Sequence, residues 1–197
     1  ESGLRFAATR LPSWFGVDVS AEKLEGTLWR GFQGSGIQVA TEGTDLSISS
    51  LQLQWQPQAL WQRQLHIQRL AAGDIHIQGK PTPPRESSPP PQLPQSIDLP
   101  LGVQVDSLEV GRISSGRSDT TLLLPSSISY AYDHQQHRLQ VVSLNTPWQN
   151  FKGEVSLDTA PPFALAGNIE GDGELEGHAA SSDIVAHGSL ESPDLLI

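Results

Sequence analysis

From Leu46 to Gly79 the chain reads LSISSLQLQWQPQALWQRQLHIQRLAAGDIHIQG, with an apolar residue at nearly every second position and Gln, Ser or His between. Successive side chains of a strand point to opposite faces, so this alternation specifies strands with one apolar and one wet face. It recurs as Ile37/Val39, Leu46/Ile48, Leu51/Leu53/Trp55, Leu65/Ile67, Ile75/Ile77, Val103/Val105, Leu108/Val110, Leu139/Val141, Val155/Leu157 and Ile184/Ala186. Gly, Pro, Asn or Asp often separates these pairs, as turns require. The expected fold is all-β. Helix is scarce: GLRFAATRLPSW (residues 3–14) places Leu4, Ala8 and Leu11 on one helical face before Pro12, and Pro57 suits the first position of a helical turn over Gln56–Trp61.

A repeat lies within the alternation. LHIQRLAAGDI (65–75) and VQVDSLEVGRI (103–113) match at Leu65/Val103, Ile67/Val105, Leu70/Leu108, Gly73/Gly111 and Ile75/Ile113, with shorter copies at Leu46/Ile48/Leu51 and Leu139/Val141/Leu144. In each copy the apolar step lengthens from two to three, which turns the next side chain to the opposite face. A β-bulge at Ser49–Ser50, Gln68–Arg69, Asp106–Ser107 and Val142–Ser143 restores it, and bulges in successive strands curve a sheet into a trough. Between the long copies, KPTPPRESSPPPQLPQS (80–96) is too rich in Pro to join a ladder and reads as a polyproline-like loop. The resulting plan is a short helix at 1–15, a first β segment at 16–79, the loop at 80–96 and a second β segment at 97–197 continuing the same sheet.

The formal net charge of −10 disfavours nucleic acid and anionic membrane surfaces as partners, since both require clustered Lys and Arg. With no Cys there is no disulfide, thiolate metal site or thiol nucleophile. The start on Glu1 without Met, and the end on Leu195, Leu196 and Ile197, read as a piece of something longer. No run approaches the roughly 20 apolar residues of a membrane span.

Candidate chemistry is thin. His66 and His76 alternate with apolar residues and fall on the wet face, while His134 and His137 flank an apparent turn where Asp133 lacks a third metal ligand. These histidines, with His178 and His187, read as solvated. The Gly-rich stretches 31–36 and 171–177 lack the Gly-Lys-Ser/Thr of phosphate loops and read as turns or bulges, and Asp172, Glu174 and Glu176 read as a wet strand face. No nucleophile elbow or singled-out carboxylate pair is present, so neither an enzyme nor a cofactor is expected.

Several ordered segments resemble the start of the periplasmic part of the TamB family. They are Ser2–Phe6, Pro12–Trp14, Leu24–Phe32, Ile37–Val39, Leu51–Pro57 with Leu60 and Trp61, Leu65–Leu70 and Gly73–Ile75, then the Pro-rich insertion, a second block from Leu99–Leu101 to Gly111–Ile113, Tyr132–Asp133, Leu139 and Pro162–Ala166. The resemblance implies an AsmA-like bridge-type lipid transfer protein of the Gram-negative envelope. It implies an elongated, U-shaped, taco-like sheet with an apolar trough and a short N-terminal helix following a removed inner-membrane anchor. Implied partners are phospholipid acyl chains, and a TamA-like outer-membrane barrel engaged through a C-terminal region absent here. Implied roles are phospholipid movement between the membranes and assistance in assembling outer-membrane proteins, including autotransporters.

The physics of the apolar face agrees with such a role. Covering one apolar side chain is worth about 1.5–3 kcal/mol, so a dozen left bare is a liability, whereas a ~16-carbon acyl chain gains about 12 kcal/mol on leaving water. Leu46, Ile48, Leu51, Leu53, Leu65, Ile67, Leu70, Ile75, Val103, Val105 and Leu108 are the expected groove lining. Two rivals stand beside this reading. One is a chaperone that binds outer-membrane strands by edge pairing. The other is a carbohydrate-binding β-sandwich using Trp14, Trp29, Trp55, Trp61 or Trp148 as platforms.

Overall fold

The computed structural model describes residues 18–27, 29–41, 43–80, 96–116, 118–175, 178–189 and 192–196. The expected helix at 3–14, the Pro-rich stretch at 81–95 and Trp14 lie outside them. Fourteen strands are described, and one sheet holds them all. In chain order they are β1 (Asp18–Thr27), β2 (Gly31–Ala40), β3 (Thr44–Gln56), β4 (Gln64–Ala72), β5 (Ile75–Gly79), β6 (Gly102–Val110), β7 (Ile113–Ser115), β8 (Thr120–Leu123), β9 (Ser126–Tyr132), β10 (Gln136–Asn145), β11 (Gln149–Asp158), β12 (Ala164–Leu175), β13 (His178–Ser189) and β14 (Ser192–Leu196). The one described helix is a 3-10 turn at Pro57–Gln62, with Pro57 in its first turn and Arg63 closing it at φ 56°.

The long strand β3 organises the sheet. One edge pairs with β2, which pairs with β1. The other edge takes β4 along Leu51–Gln56 and β5 along Thr44–Ile48, end to end. From β4 the sheet continues through β6, β9, β10, β11, β12 and β13 to β14, and from β5 through β7 to β8. Neither run returns to its start, so the sheet stays open. The run from β1 to β14 holds eleven strands, about 50 Å at ~4.8 Å per strand. A sandwich needs a second sheet, and no second sheet is present among the described residues, which overturns the carbohydrate-binding sandwich.

The internal repeat is the pairing itself. β4 and β6 are parallel, with Leu65 opposite Val103, Ile67 opposite Val105 and Leu70 opposite Leu108. β5 and β7 continue the same register with Ile75 opposite Ile113. The two copies lie side by side, residue on matching residue.

Three of the four expected bulges are present. The β3–β4 ladder shifts between Gln54 and Trp55, leaving Gln68 as the extra residue. Asp106 and Ser107 together oppose the single Ser129 in β9. The β10–β11 ladder shifts between Val141 and Leu144. The bulge expected at Ser49–Ser50 is absent, because β2 and β3 keep one register from Phe32↔Leu53 to Ala40↔Asp45. Instead Gly36 turns the neighbouring strand at φ 60°, a conformation that costs glycine little. Ser49 and Ser50 are both exposed, so the burial pattern of β3 still changes phase there without an inserted residue.

Other departures share a cause. The alternation flags apolar pairs; β1, β9, β12 and β14 are interrupted by charges, Ser or Gly, and the four-residue β8 reads TTLL with no alternation. Gly171–Leu175 is part of a continuous β12 paired with β13, not a turn. Its Asp172 and Glu174 are exposed at alternate positions, while Glu176 lies outside the described residues. Gly31, at φ 92°, starts β2 after the β1–β2 turn, where an added Cβ meets Leu53 O at 2.1 Å.

Candidate functional site

Following the registers from strand to strand shows what the bulges do. One row of opposed residues runs Phe32, Leu53, Leu70, Leu108, Ile128, Val141, Gly153, Ile169 and Ile184, one from each of nine strands. A second runs Trp55, Ile67, Val105, Tyr130, Leu139, Val155, Gly167 and Ala186. In β3 and in β9 to β13 the two rows are two residues apart and so share a face. In β4 and β6 they are three residues apart, and the bulges at Gln68 and Asp106–Ser107 bring them back to that face. A third row, Leu65, Val103, Tyr132, His137, Leu157 and Leu165, lies beyond.

All eleven residues singled out in the sequence fall on such rows. Leu53, Leu65, Ile67, Leu70, Val103, Val105 and Leu108 belong to these three, Leu51 to the row through Gly34 and Ala72, Ile48 and Ile75 to that through Ile37 and Ile113, and Leu46 to that through Val39 and Ile77. The face is half-buried although the sheet is a single layer among the described residues. Ile37, Val105, Val141 and Tyr132 retain only 3–8% of their exposure. Along β12, Leu165, Gly167 and Ile169 are half-buried while Ala164, Ala166, Asn168 and Glu170 are exposed. A single sheet shields one face in this way by curving over it.

The opposite face is polar and tied by ion pairs across the parallel repeat. His66 Nε2 lies 2.8 Å from Asp106 Oδ2, Arg69 Nη2 donates to Glu109 Oε2 at 2.5 Å, and His76 and Arg112 both meet Asp119. Arg69 holds the Glu109 carboxyl below its usual range. Asp119 is lowered by hydrogen bonding to Ser114, assisted by Arg112 and His76. A cavity of about 830 Å³ lies over β6 and β9–β13, lined by residues such as Gln104, Arg138, Gln140, Glu154, Asn168 and His187. Of the eleven groove candidates only Val105 reaches it, and Ile48 and Ile75 line a smaller one of about 260 Å³.

His137 is a correction. It is not solvated in a turn but stands in β10 on the apolar third row, stacked on Tyr132 at 4.6 Å between ring centres. Its Nε2 lies 3.0 Å from Ile97 O, a carbonyl that only accepts, so Nε2 carries the proton. In the neutral ring Nδ1 then accepts from Tyr130 Oη at 2.6 Å. Tyr132 Oη in turn accepts from the Leu99 amide at 3.0 Å. Buried Thr159 accepts from the Ile97 amide at 3.1 Å, which helps pin the stretch entering β6 to the sheet end. The spacing signal was available, since His137 is two residues before Leu139. His66 and His76 do sit on the polar face, within hydrogen-bond distance of Asp106 and Asp119 rather than in open solvent.

The exposed tryptophans are divided between the two sheet ends. Trp29, in the β1–β2 turn, and Trp61, in the 3-10 helix, are 75% and 92% exposed at one end, and Trp148 protrudes from the β10–β11 turn at the other. They form no shared platform, and Trp55 lies on an apolar row. Among the described residues no group of three or more His, Asp or Glu converges as a metal site, and no helix is long and apolar enough to cross a membrane.

Compared with known proteins, residues 1–162 match the family described as TamB, N-terminal domain. No curated protein and no solved structure matches the chain. The open, curved, all-β sheet with its continuous apolar rows agrees with that match, which covers most of the sequence. The chain belongs to the TamB family, as an N-terminal, periplasmic segment of an envelope bridge whose role is lipid transport and outer-membrane protein assembly.

Proposed function

We propose that the apolar rows are the path taken by phospholipid acyl chains, with Leu46, Ile48, Leu51, Leu53, Leu65, Ile67, Leu70, Ile75, Val103, Val105 and Leu108 lining its first part. The observation that carries this reading is the unbroken row from Phe32 to Ile184. Nine strands span about 38 Å at ~4.8 Å spacing. A bilayer's hydrocarbon core is ~30 Å for two leaflets, so one acyl chain laid along the row is covered over its whole length. Contacts along the row are apolar and repeated. A chain therefore slides along it against small barriers. The headgroup stays in water at the open side. On this reading the inner-membrane anchor and the outer-membrane barrel act through other parts of the parent protein.

The test is native mass spectrometry of the chain purified from bacterial periplasm, with lipid extraction in parallel. Co-purifying phospholipid that is lost in the Ile67→Asp, Val105→Asp double variant, with the strand content unchanged, is the expected result. A lipid-free wild-type chain removes the proposal.

A further inference from the structure

Two neighbouring turns at one end of the sheet carry the two most exposed large apolar side chains among the described residues. Trp29, in the β1–β2 turn, is 75% exposed, and Trp61, in the 3-10 helix between β3 and β4, is 92% exposed with Leu60 beside it at 41%. The turns adjoin, because Phe32, just after the first, stands opposite Leu53, just before the second. Both are held in place. Pro57 and Ala59 are buried beneath the helix, the Arg63 amide donates to Leu60 O at 2.9 Å, and the Gly102 amide donates to Arg63 O at 3.0 Å. The Arg30 amide closes the other turn on Thr27 O at 3.2 Å. Large apolar groups held together in water mark a surface that something else covers.

Charge says what covers it. Arg30 follows Trp29 and Arg63 lies just after Trp61, and both are exposed. Lys23, Arg69, Lys80, Arg112 and Arg138 each pair with a carboxylate, whereas Arg30 and Arg63 make no ion pair among the described residues. Glu25, on the same hairpin as Arg30, is taken up by Lys23 at 2.8 Å. The net charge of −10 belongs to the whole chain, but salt limits what a nearby surface feels to about 10 Å. Indoles flanked by unpaired guanidinium groups match the boundary of a lipid bilayer, where the ring lies among the headgroups and the cation meets phosphate. A protein partner fits less well. Two indoles and one Leu supply about 500 Å² at ~150–250 Å² per aromatic ring, against the roughly 1,000 Å² that a stable protein interface buries.

We propose that Trp29, Leu60 and Trp61, flanked by Arg30 and Arg63, dock this end of the sheet on the surface of a phospholipid bilayer. The contact is made by the sheet itself and is distinct from a membrane-spanning anchor. It does not depend on the acyl-chain reading, although the second apolar row begins at Trp55, beside the docked turns.

The experiment is flotation of the full chain with vesicles of phosphatidylethanolamine and about one quarter phosphatidylglycerol, with brominated acyl chains to quench tryptophan fluorescence on contact. Trp29→Ala with Trp61→Ala is expected to lower binding roughly tenfold or more, and Trp148→Ala, exposed at the opposite end, to change it by less than about twofold. Arg30→Gln with Arg63→Gln is expected to weaken binding to these vesicles and to leave binding to phosphatidylcholine vesicles unchanged. Ile67→Asp with Val105→Asp is expected to remove co-purifying lipid and keep vesicle binding, so this proposal and the acyl-chain reading fail separately. Absence of vesicle binding by the wild-type chain, binding that survives loss of both indoles, or equal loss in Trp148→Ala overturns the proposal. Self-association of the wild-type chain that disappears with the two indoles also overturns it, by assigning the patch to a second copy.

Discussion

Ile67 and Val105 stand opposite each other in a parallel ladder, and immediately beyond each the strand bulges before reaching Leu70 and Leu108, which again stand opposite each other. The coincidence of the two bulges keeps four apolar side chains on one face in strands whose spacing alone would divide them. Deleting Gln68 is therefore expected to turn Leu70 toward the polar face. A loss of about 1.5–3 kcal/mol follows from the exposure of one such side chain. Denaturant unfolding measures the loss, and labelling of a Leu70→Cys variant by a charged maleimide, with and without the deletion, reports the change of face.

Gly31 and Gly79 make a matched pair for substitution. Gly31→Ala forces a Cβ to within 2.1 Å of Leu53 O at φ 92°, whereas a Cβ at Gly79 meets nothing within 4 Å. Gly31→Ala is expected to destabilise the sheet by more than about 1 kcal/mol, and Gly79→Ala to stay within about 0.5 kcal/mol of wild type. Thermal or urea unfolding of both variants decides this.

The Tyr132 hydroxyl is the acceptor for the Leu99 amide. Tyr132→Phe keeps the ring against His137 and leaves that amide unpaired, an expected cost of about 1–2 kcal/mol. Faster exchange of the Leu99 amide, with little change on the far strands β1 and β2, is the local signature. Unchanged exchange at Leu99 removes the assigned role.

Acid weakens the polar face in a defined direction. The carboxyls of Glu109 and Asp119 are lowered by Arg69 and by Ser114 with Arg112, respectively, and that of Asp133 by the backbone amides of Gln135 and Gln136 together with Arg138. Groups with lowered folded pKa bind fewer protons folded than unfolded, so stability rises with pH through that window. Their contribution is complete above the ordinary carboxylate range and is lost as pH falls below about 4. Unfolding midpoints are expected to be flat from about pH 7 to 5 and to drop below that window, by less in Glu109→Gln, which has already lost its share.

Ile67→Asp carries the functional expectation. Its side chain lies between Trp55 and Val105 on the second row. A charge there interrupts the apolar path without meeting a packed second layer. Loss of most co-purifying phospholipid is expected, against near wild-type recovery for a control Asp at the exposed Gln68.

The β class, the apolar rows and three bulges were legible because period-two alternation and its interruption are local properties of the chain. The repeat was legible as a spacing, but that the copies pair in parallel at zero offset is a fact of topology that spacing does not contain. The step at Ser49–Ser50 was misread as a bulge: β2 and β3 keep one register there, and the local irregularity is Gly36 at φ 60° in the neighbouring strand. Polar partners were the least legible: His66 meets Asp106 forty residues away, and His137 closes on Ile97 O.

Because the copies 65–75 and 103–113 stack with every matching residue side by side, the sheet contains its own rule for growing. A further copy inserted between the second and the strands β9 and β8 that now flank it meets, on the second, the apolar and polar positions that the second met on the first. Reach can therefore change in whole units without redesign of the units already present. A span between two membranes can follow the width of the gap it crosses by counting repeats.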